Sequence, residues 1–219
     1  MLLRHYLAAD HVKRRRKSPY AMLLGFAPIV AFTMLTNLSQ DLALWASFAA
    51  AFAVGIRDFA QERVVRLLDI GSTVIFGLLA LYAGFVQPGL SIQMTRLVVD
   101  LGFFALALLS MLILSPLTLQ YAREQVPREI SSRTRFVLTN YGLTALWMLA
   151  FAVMAAADAL SNIDKRLPLS LDAAVGLVVL VAALIVTARY LVRLHSHDHE
   201  ERQSLITGAA HAAPGTMRP

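Results

Sequence analysis

The chain has 219 residues, of which 58% are hydrophobic and 16% charged, with a formal net charge of +6 and no cysteine. Soluble domains run nearer about 45 to 50% apolar and about 25% charged, so a fold shielding one core from water is excluded, as are disulfides, thiolate catalysis and Cys-based metal sites. The positive charge lies in short polar stretches beside apolar runs, a distribution that encodes membrane orientation and does not point to nucleic acid.

Residues 1–19 form a basic segment in which Lys13, Arg14, Arg15, Arg16 and Lys17 suit anionic lipid headgroups. The run that follows reads as a retained span and not a signal peptide, because the basic leader is long and no small-x-small cleavage pattern follows. Residues 20–192 carry six apolar runs: Tyr20–Thr36, Leu42–Ile56, Val64–Phe85, Leu97–Leu114, Phe136–Leu160 and Leu169–Val192. A helix crossing about 30 Å of hydrocarbon needs about 20 residues, so the first run is marginal and the second short. Asn37–Asp41 reads as a tight turn between them. A re-entrant pair is the alternative, but snorkelling of Arg57 lets the second helix lengthen through Phe59. All Lys and Arg except Arg96, Lys165 and Arg166 then fall on one side, which places both termini in the cytoplasm. The fold class predicted is an all-α polytopic membrane bundle of six transmembrane helices, N-in and C-in.

In the second run Ser47, Ala51 and Gly55 recur at every fourth position, a spacing that lets helix backbones approach closely. The expectation is a packed inner helix, with a dimer contact as the alternative. Gly25 and Pro28 predict a kink in the first run. Tyr20, Tyr82 and Tyr190 fit an interfacial belt, whereas Trp147 sits deeper and needs a packing partner.

Ionisable groups within spans are functional candidates, since each costs about 2.5 to 3.5 kcal/mol at a helix centre. Asp69, Asp100, Asp158 and Asp172 qualify, and each has an interfacial explanation. Arg66 is three residues before Asp69 and Arg96 four before Asp100, while Asp158 and Asp172 flank Lys165 and Arg166. The rival reading, a small transporter or channel for a proton, a cation or a lipid-like solute, would use Asp69 with polar Ser72, Thr73, Asn140 and Thr144. Residues 193–219 read as a disordered cytoplasmic tail, and its alternating His195, His197 and His199 lack the setting of a closed metal site. No catalytic constellation, metal site or cofactor motif is read anywhere in the chain.

The longest loop, Ser115–Arg135, is patterned. Pro116 and Pro127 bracket a segment that suits a short amphipathic helix, with Leu117, Leu119 and Tyr121 toward lipid and Arg123 and Glu124 outward. Its Pro116, Gln120, Tyr121, Arg123 and Glu124 form a candidate interaction surface. SPLTLQYAREQVPREI from Ser115 to Ile130, then Phe136, Thr139, Asn140 and LTALW from Leu143 to Trp147, resembles uncharacterised bacterial membrane proteins around the intracellular septation protein A family. APIVAF around Pro28 is similar to that group's first helix, although the group often has Phe where this chain has Leu117. The resemblance implies a bacterial inner-membrane protein of a group associated with cell-envelope upkeep and septation, with no agreed enzymatic activity. The patterned loop, the small-residue helix and the lack of a catalytic constellation lead to the expectation of a non-enzymatic protein acting through contacts with membrane lipids and other membrane or division proteins, with a homo-oligomer as one form of such contact.

A weaker internal match exists. MLTNLSQDLALW (Met34–Trp45) aligns with VLTNYGLTALW (Val137–Trp147) with one gap, and Leu68-Asp69 recurs at Leu171-Asp172. Three helices per half would make the halves inverted in the membrane. Ala/Leu-rich sequence produces such matches readily, so sequence alone establishes no repeat.

Overall fold

The computed structural model describes residues 24–62, 66–126, 131–164 and 172–190. The Lys13–Lys17 segment, Lys165, Arg166 and the histidine tail lie outside these residues. The described residues form an α-helical bundle with no strand among them: α1 (Ala27–Leu35), α2 (Gln40–Glu62), α3 (Leu67–Leu81), α4 (Ile92–Leu112), α5 (Leu117–Gln125), α6 (Thr134–Ile163) and α7 (Asp172–Tyr190). Five of these are long and apolar enough to cross a membrane: α2, α3 with its π-turn Tyr82–Val86, α4, α6 and α7. That is the make-up of an integral membrane protein. By internal contacts the chain divides into Met1–Ala183 and Leu184–Pro219; of the latter, only the last turns of α7 are described.

Local chemistry explains the boundaries. Phe26 turns the chain between helical Gly25 and Ala27, and Pro28 sits in the first turn of α1, where its missing N–H costs no bond. The helical run is interrupted at this point, where a kink is expected. The second run, short in sequence, is the 23-residue helix α2, which extends past Phe59. The Ser39 hydroxyl accepts Leu42 N–H at 3.4 Å near its start, and Arg57 and Asp58 pair at 2.6 Å near its end. That pairing lets an Ala-rich helix run on into charged sequence. At the end of α4, Leu114 adopts a φ of 56° and the Ser110 hydroxyl receives Leu117 N–H at 3.3 Å. The chain is thereby turned back onto the bundle as α5.

The small-residue stripe packs within the chain. Ser47 and Ala51 are buried, and a Cβ at Gly55 would lie 3.9 Å from that of Asp69. Phe48 packs on Gly77 further along, so α2 and α3 run antiparallel. Ile75 on Gly102 and Leu106 on Gly71 set α3 against α4 in the same way. The expectation that α2 is the inner helix is corrected: α3 is 50% buried over its span and α2 28%. Glycines on α3 and α4 admit neighbours on two sides of α3, whereas much of α2 presents Phe52, Ile56 and Phe59 outward.

An aromatic ladder crosses the core. Phe32, Phe76, Phe103, Phe151 and Trp147 follow one another at centroid spacings of 5.3–5.7 Å, and Trp147 stacks on Phe26 at 3.9 Å and 9°. It joins Phe26 and α1, α3, α4 and α6, and supplies the partner that the depth of Trp147 requires. Each such pair adds about 0.5 to 1.5 kcal/mol beyond burial.

Candidate functional site: two buried carboxylate clusters

The short connections make successive spans alternate in direction, so polar groups near helix ends collect at two opposite ends. One end carries α5 and the α2–α3 hairpin; the other carries the turn after α1 and the α6–α7 hairpin. The four intramembrane aspartates divide between them, Asp69 at the first and Asp100, Asp158 and Asp172 at the second.

At the α5 end Arg66 is the hub and is 1% exposed. Its guanidinium donates to Asp58, to Glu124 Oε1 at 3.2 Å and to Glu124 Oε2 at 2.5 Å. It also lies 4.4 Å from the Tyr121 ring centroid and 4.0 Å from Asp69 Oδ2. Burial works against the charge of Arg66, but the hydrogen bond and charge of Glu124, with Tyr121 and Asp58, outweigh it and raise its pKa above the ordinary arginine value. Tyr121 donates to Asp69 Oδ1 at 2.9 Å. Burial, then the charge and hydrogen bond of Asp69, push the Tyr121 phenol well above its usual value, so it remains a donor at neutral pH.

These bonds fasten α5 to the bundle and correct its expected setting. Leu117, Leu119 and Tyr121 are at most 2% exposed and face protein, not lipid. Glu124 turns inward to Arg66, leaving Arg123 exposed. Gln120 accepts Leu67 N–H at 2.9 Å and donates to the Ser115 carbonyl at 2.9 Å. The Thr118 hydroxyl donates to the Asn140 carbonyl at 2.7 Å and meets Thr144 Oγ1 at 2.9 Å. Asn140 Nδ2 donates to the Phe136 carbonyl at 2.9 Å. The hydroxyl of Tyr121 sits where a Cβ on Gly25 would be. Asp69 Oδ2 and Ser72 Oγ are buried without a hydrogen-bond partner.

At the other end three carboxyls converge. Asp158 faces one cavity together with Asp100 and Asp172. Arg96 donates to Asp172 Oδ2 at 3.3 Å and to Asn37 Oδ1 at 2.7 Å. The expected partner of Arg96 was Asp100; the bond runs instead to Asp172 on α7, because bundle packing brings that helix within reach. All three aspartates are at most 5% exposed, and Asp158 Oδ2 and Asp172 Oδ1 have no hydrogen-bond partner. They line a cavity of about 30 Å³ together with Arg96 and Thr33. At about 1.5 Å per residue, Asp100 stands about 12 Å inside the start of α4.

Comparison with family models, curated proteins and solved structures finds no match. The site is therefore read from its own chemistry.

Among the described residues three carboxyls here face one guanidinium, two more negative than positive charges if all are ionised. Buried charge of that kind is costly unless paired. No trio of His, Cys, Asp or Glu among the described residues is arranged to hold a metal ion. A cavity lined by buried carboxyls suits a proton, or a monovalent cation small enough for it. A water needs about 10 to 15 Å³ by this measure, so the cavity as it stands has room for an occupant of about that size.

Two members of these clusters escaped the sequence reading. Asp58 continues the buried Ser47, Ala51, Gly55 stripe at helical spacing, a signal that was available. Asn37 read simply as a turn residue, and nothing local tied it to Arg96.

Proposed function

We propose that this chain is a six-span inner-membrane protein with both termini cytoplasmic, which binds and passes a proton or a cation of about the size of water. The observation that carries the reading is the convergence of Asp100, Asp158 and Asp172 with a single arginine on a cavity of about 30 Å³. Buried acids facing a cavity between helices are the usual parts of a proton or ion pathway. The distribution of Lys and Arg supports the orientation, and Leu24–Leu35, continued by the apolar residues before it, supports the sixth span. The open cavity of the pathway thus lies at the Asp158 trio, at the end opposite Asp69.

The test is ion flux. The full-length protein in liposomes enclosing a pH-sensitive dye should dissipate an imposed pH gradient, and Asp158→Asn should abolish the dissipation. Equal rates in protein-free and protein-containing vesicles would reject the reading.

A second reading follows from the resemblance to septation proteins: a non-enzymatic envelope role exercised through contacts with partners. Arg123, Arg133 and Arg135 favour it, because they are exposed at the α5 end and offer basic surface to acidic protein or anionic lipid. In neither reading is the protein an enzyme.

A further inference from the structure

Two helical hairpins of this bundle are built alike and stand at opposite ends. In α2–α3, Asp58 lies in the closing turns of the first helix and Asp69 in the opening turn of the second. In α6–α7, Asp158 and Asp172 hold the same places. Asn37 and Asn140, and Trp45 and Trp147, are separated by nearly the same number of residues as Asp69 and Asp172. Asn37 belongs to one end, with Arg96, and Asn140 to the other, with Thr118. A duplication with three spans per half produces this inversion.

The likeness extends to the chemistry. One buried arginine stands at each end, Arg66 on both Asp58 and Asp69, and Arg96 on Asp172. Each pair also keeps a buried carboxyl oxygen without a partner, Asp69 Oδ2 and Asp172 Oδ1. The ends differ in how that space is filled. A cavity adjoins Asp158 and Asp172, whereas at the other end Arg66 and Tyr121 lie against the carboxylates, and Ser72 Oγ is sealed in on the next turn of α3.

We propose that Asp58 and Asp69 form a second ion site, the inverted counterpart of Asp158 and Asp172, held closed by Arg66 in place of the ion and by Tyr121 of α5 as its cap. The two sites open alternately. That both take the same ion rests on the function proposed above; the closed second site and its cap stand on geometry alone. The groups facing Asp69 are Arg66 at the head of its own helix, Asp58 of α2 and Tyr121 of α5, with Glu124 of α5 holding Arg66 from the other side, so release of α5 is the movement that frees it. The fastening is polar at Arg66, Glu124, Gln120 and Tyr121, bonds that water can replace when the cap lifts.

The chain has no cysteine, so single engineered thiols report on each end. Ser72→Cys places a thiol beneath the cap, and Thr33→Cys places one at the open cavity. In the full-length protein in lipid nanodiscs, a small water-soluble methanethiosulfonate reagent should modify Thr33→Cys quickly and Ser72→Cys slowly. Adding Glu124→Gln or Tyr121→Phe should speed Ser72→Cys by about tenfold and slow Thr33→Cys by a comparable factor, a reciprocal shift of one two-state equilibrium. No change at either thiol, or a rise at both as in general loosening, overturns the proposal. A protein that shows no ion flux but retains the reciprocal shift would reject the proposed function and leave this inference standing.

Discussion

The Tyr121 hydroxyl donates a 2.9 Å hydrogen bond to Oδ1 of Asp69, joining a connecting helix to the first turn of an apolar span 52 positions earlier in the chain. The same carboxylate has Arg66 4.0 Å from its other oxygen, and Arg66 in turn holds Asp58 and Glu124. A loop that sequence assigns to the membrane surface is thus part of the packed bundle, and its charged groups set the state of one end of the molecule.

Loss of that hydroxyl should be felt as stability. Tyr121→Phe removes a hydrogen bond to a buried carboxylate, worth about 1.5 to 3 kcal/mol, and thermal unfolding of the full-length protein in detergent should show a lower Tm. An unchanged Tm would mean that the Tyr121–Asp69 contact carries no energy.

The same comparison has a pH dependence of known sign. The folded pKa of Tyr121 is raised, first by burial and then by Asp69, above the unfolded value of about 10. The folded state therefore holds the phenolic proton more tightly. The associated stability is fully present below about pH 10 and is lost as pH rises from there toward the folded pKa. Tm of the parent should fall more steeply than that of Tyr121→Phe above about pH 10, so the gap between them should narrow. A constant or widening gap would contradict the burial of this phenol.

Gly25 makes room for Tyr121, since a Cβ there would overlap the phenolic oxygen and lie 2.8 Å from the carbon that bears it. Gly25→Ala should lower Tm, with a cost of the overpacking class of about 1 to 3 kcal/mol. In a Tyr121→Phe background the cost should shrink, as expected for residues in contact. Strict additivity of the two changes would show that they do not touch.

At the opposite end, two conservative changes should separate. Asp172→Asn removes the bonded partner of a buried guanidinium and should destabilise by about 3 to 5 kcal/mol. Asp158→Asn removes one of three crowded like charges and leaves the Arg96–Asp172 bond intact, so Tm should hold or rise. Equal loss of Tm in both would argue against charge crowding around the cavity.

Much of the scaffold was legible because hydropathy and proline are local signals. The helix between Pro116 and Pro127 was bracketed by its punctuation, and Arg57 marked how α2 continues beyond its apolar run. Its burial was not legible, since Leu117, Leu119 and Tyr121 suit lipid and protein equally, and only the bonds of Thr118 and Glu124 decide between them. The same limit applies to the aspartates. Spacing within one helix suggested Arg66 with Asp69 and Arg96 with Asp100. The first pair meets at 4.0 Å, but the closer partners of both arginines come from other helices, as with Glu124 and Asp172, and helix packing sets those pairings.

The most direct test of the account is proton flux through the full-length protein in liposomes, comparing the parent with Asp158→Asn and with Asp41→Asn, a change at an exposed carboxylate that does not line the cavity. Dissipation of a pH gradient by the parent and by Asp41→Asn, with loss in Asp158→Asn, is the result predicted. Unchanged dissipation in Asp158→Asn, or none in the parent, would contradict the assignment of the buried carboxyl cluster as the ion pathway.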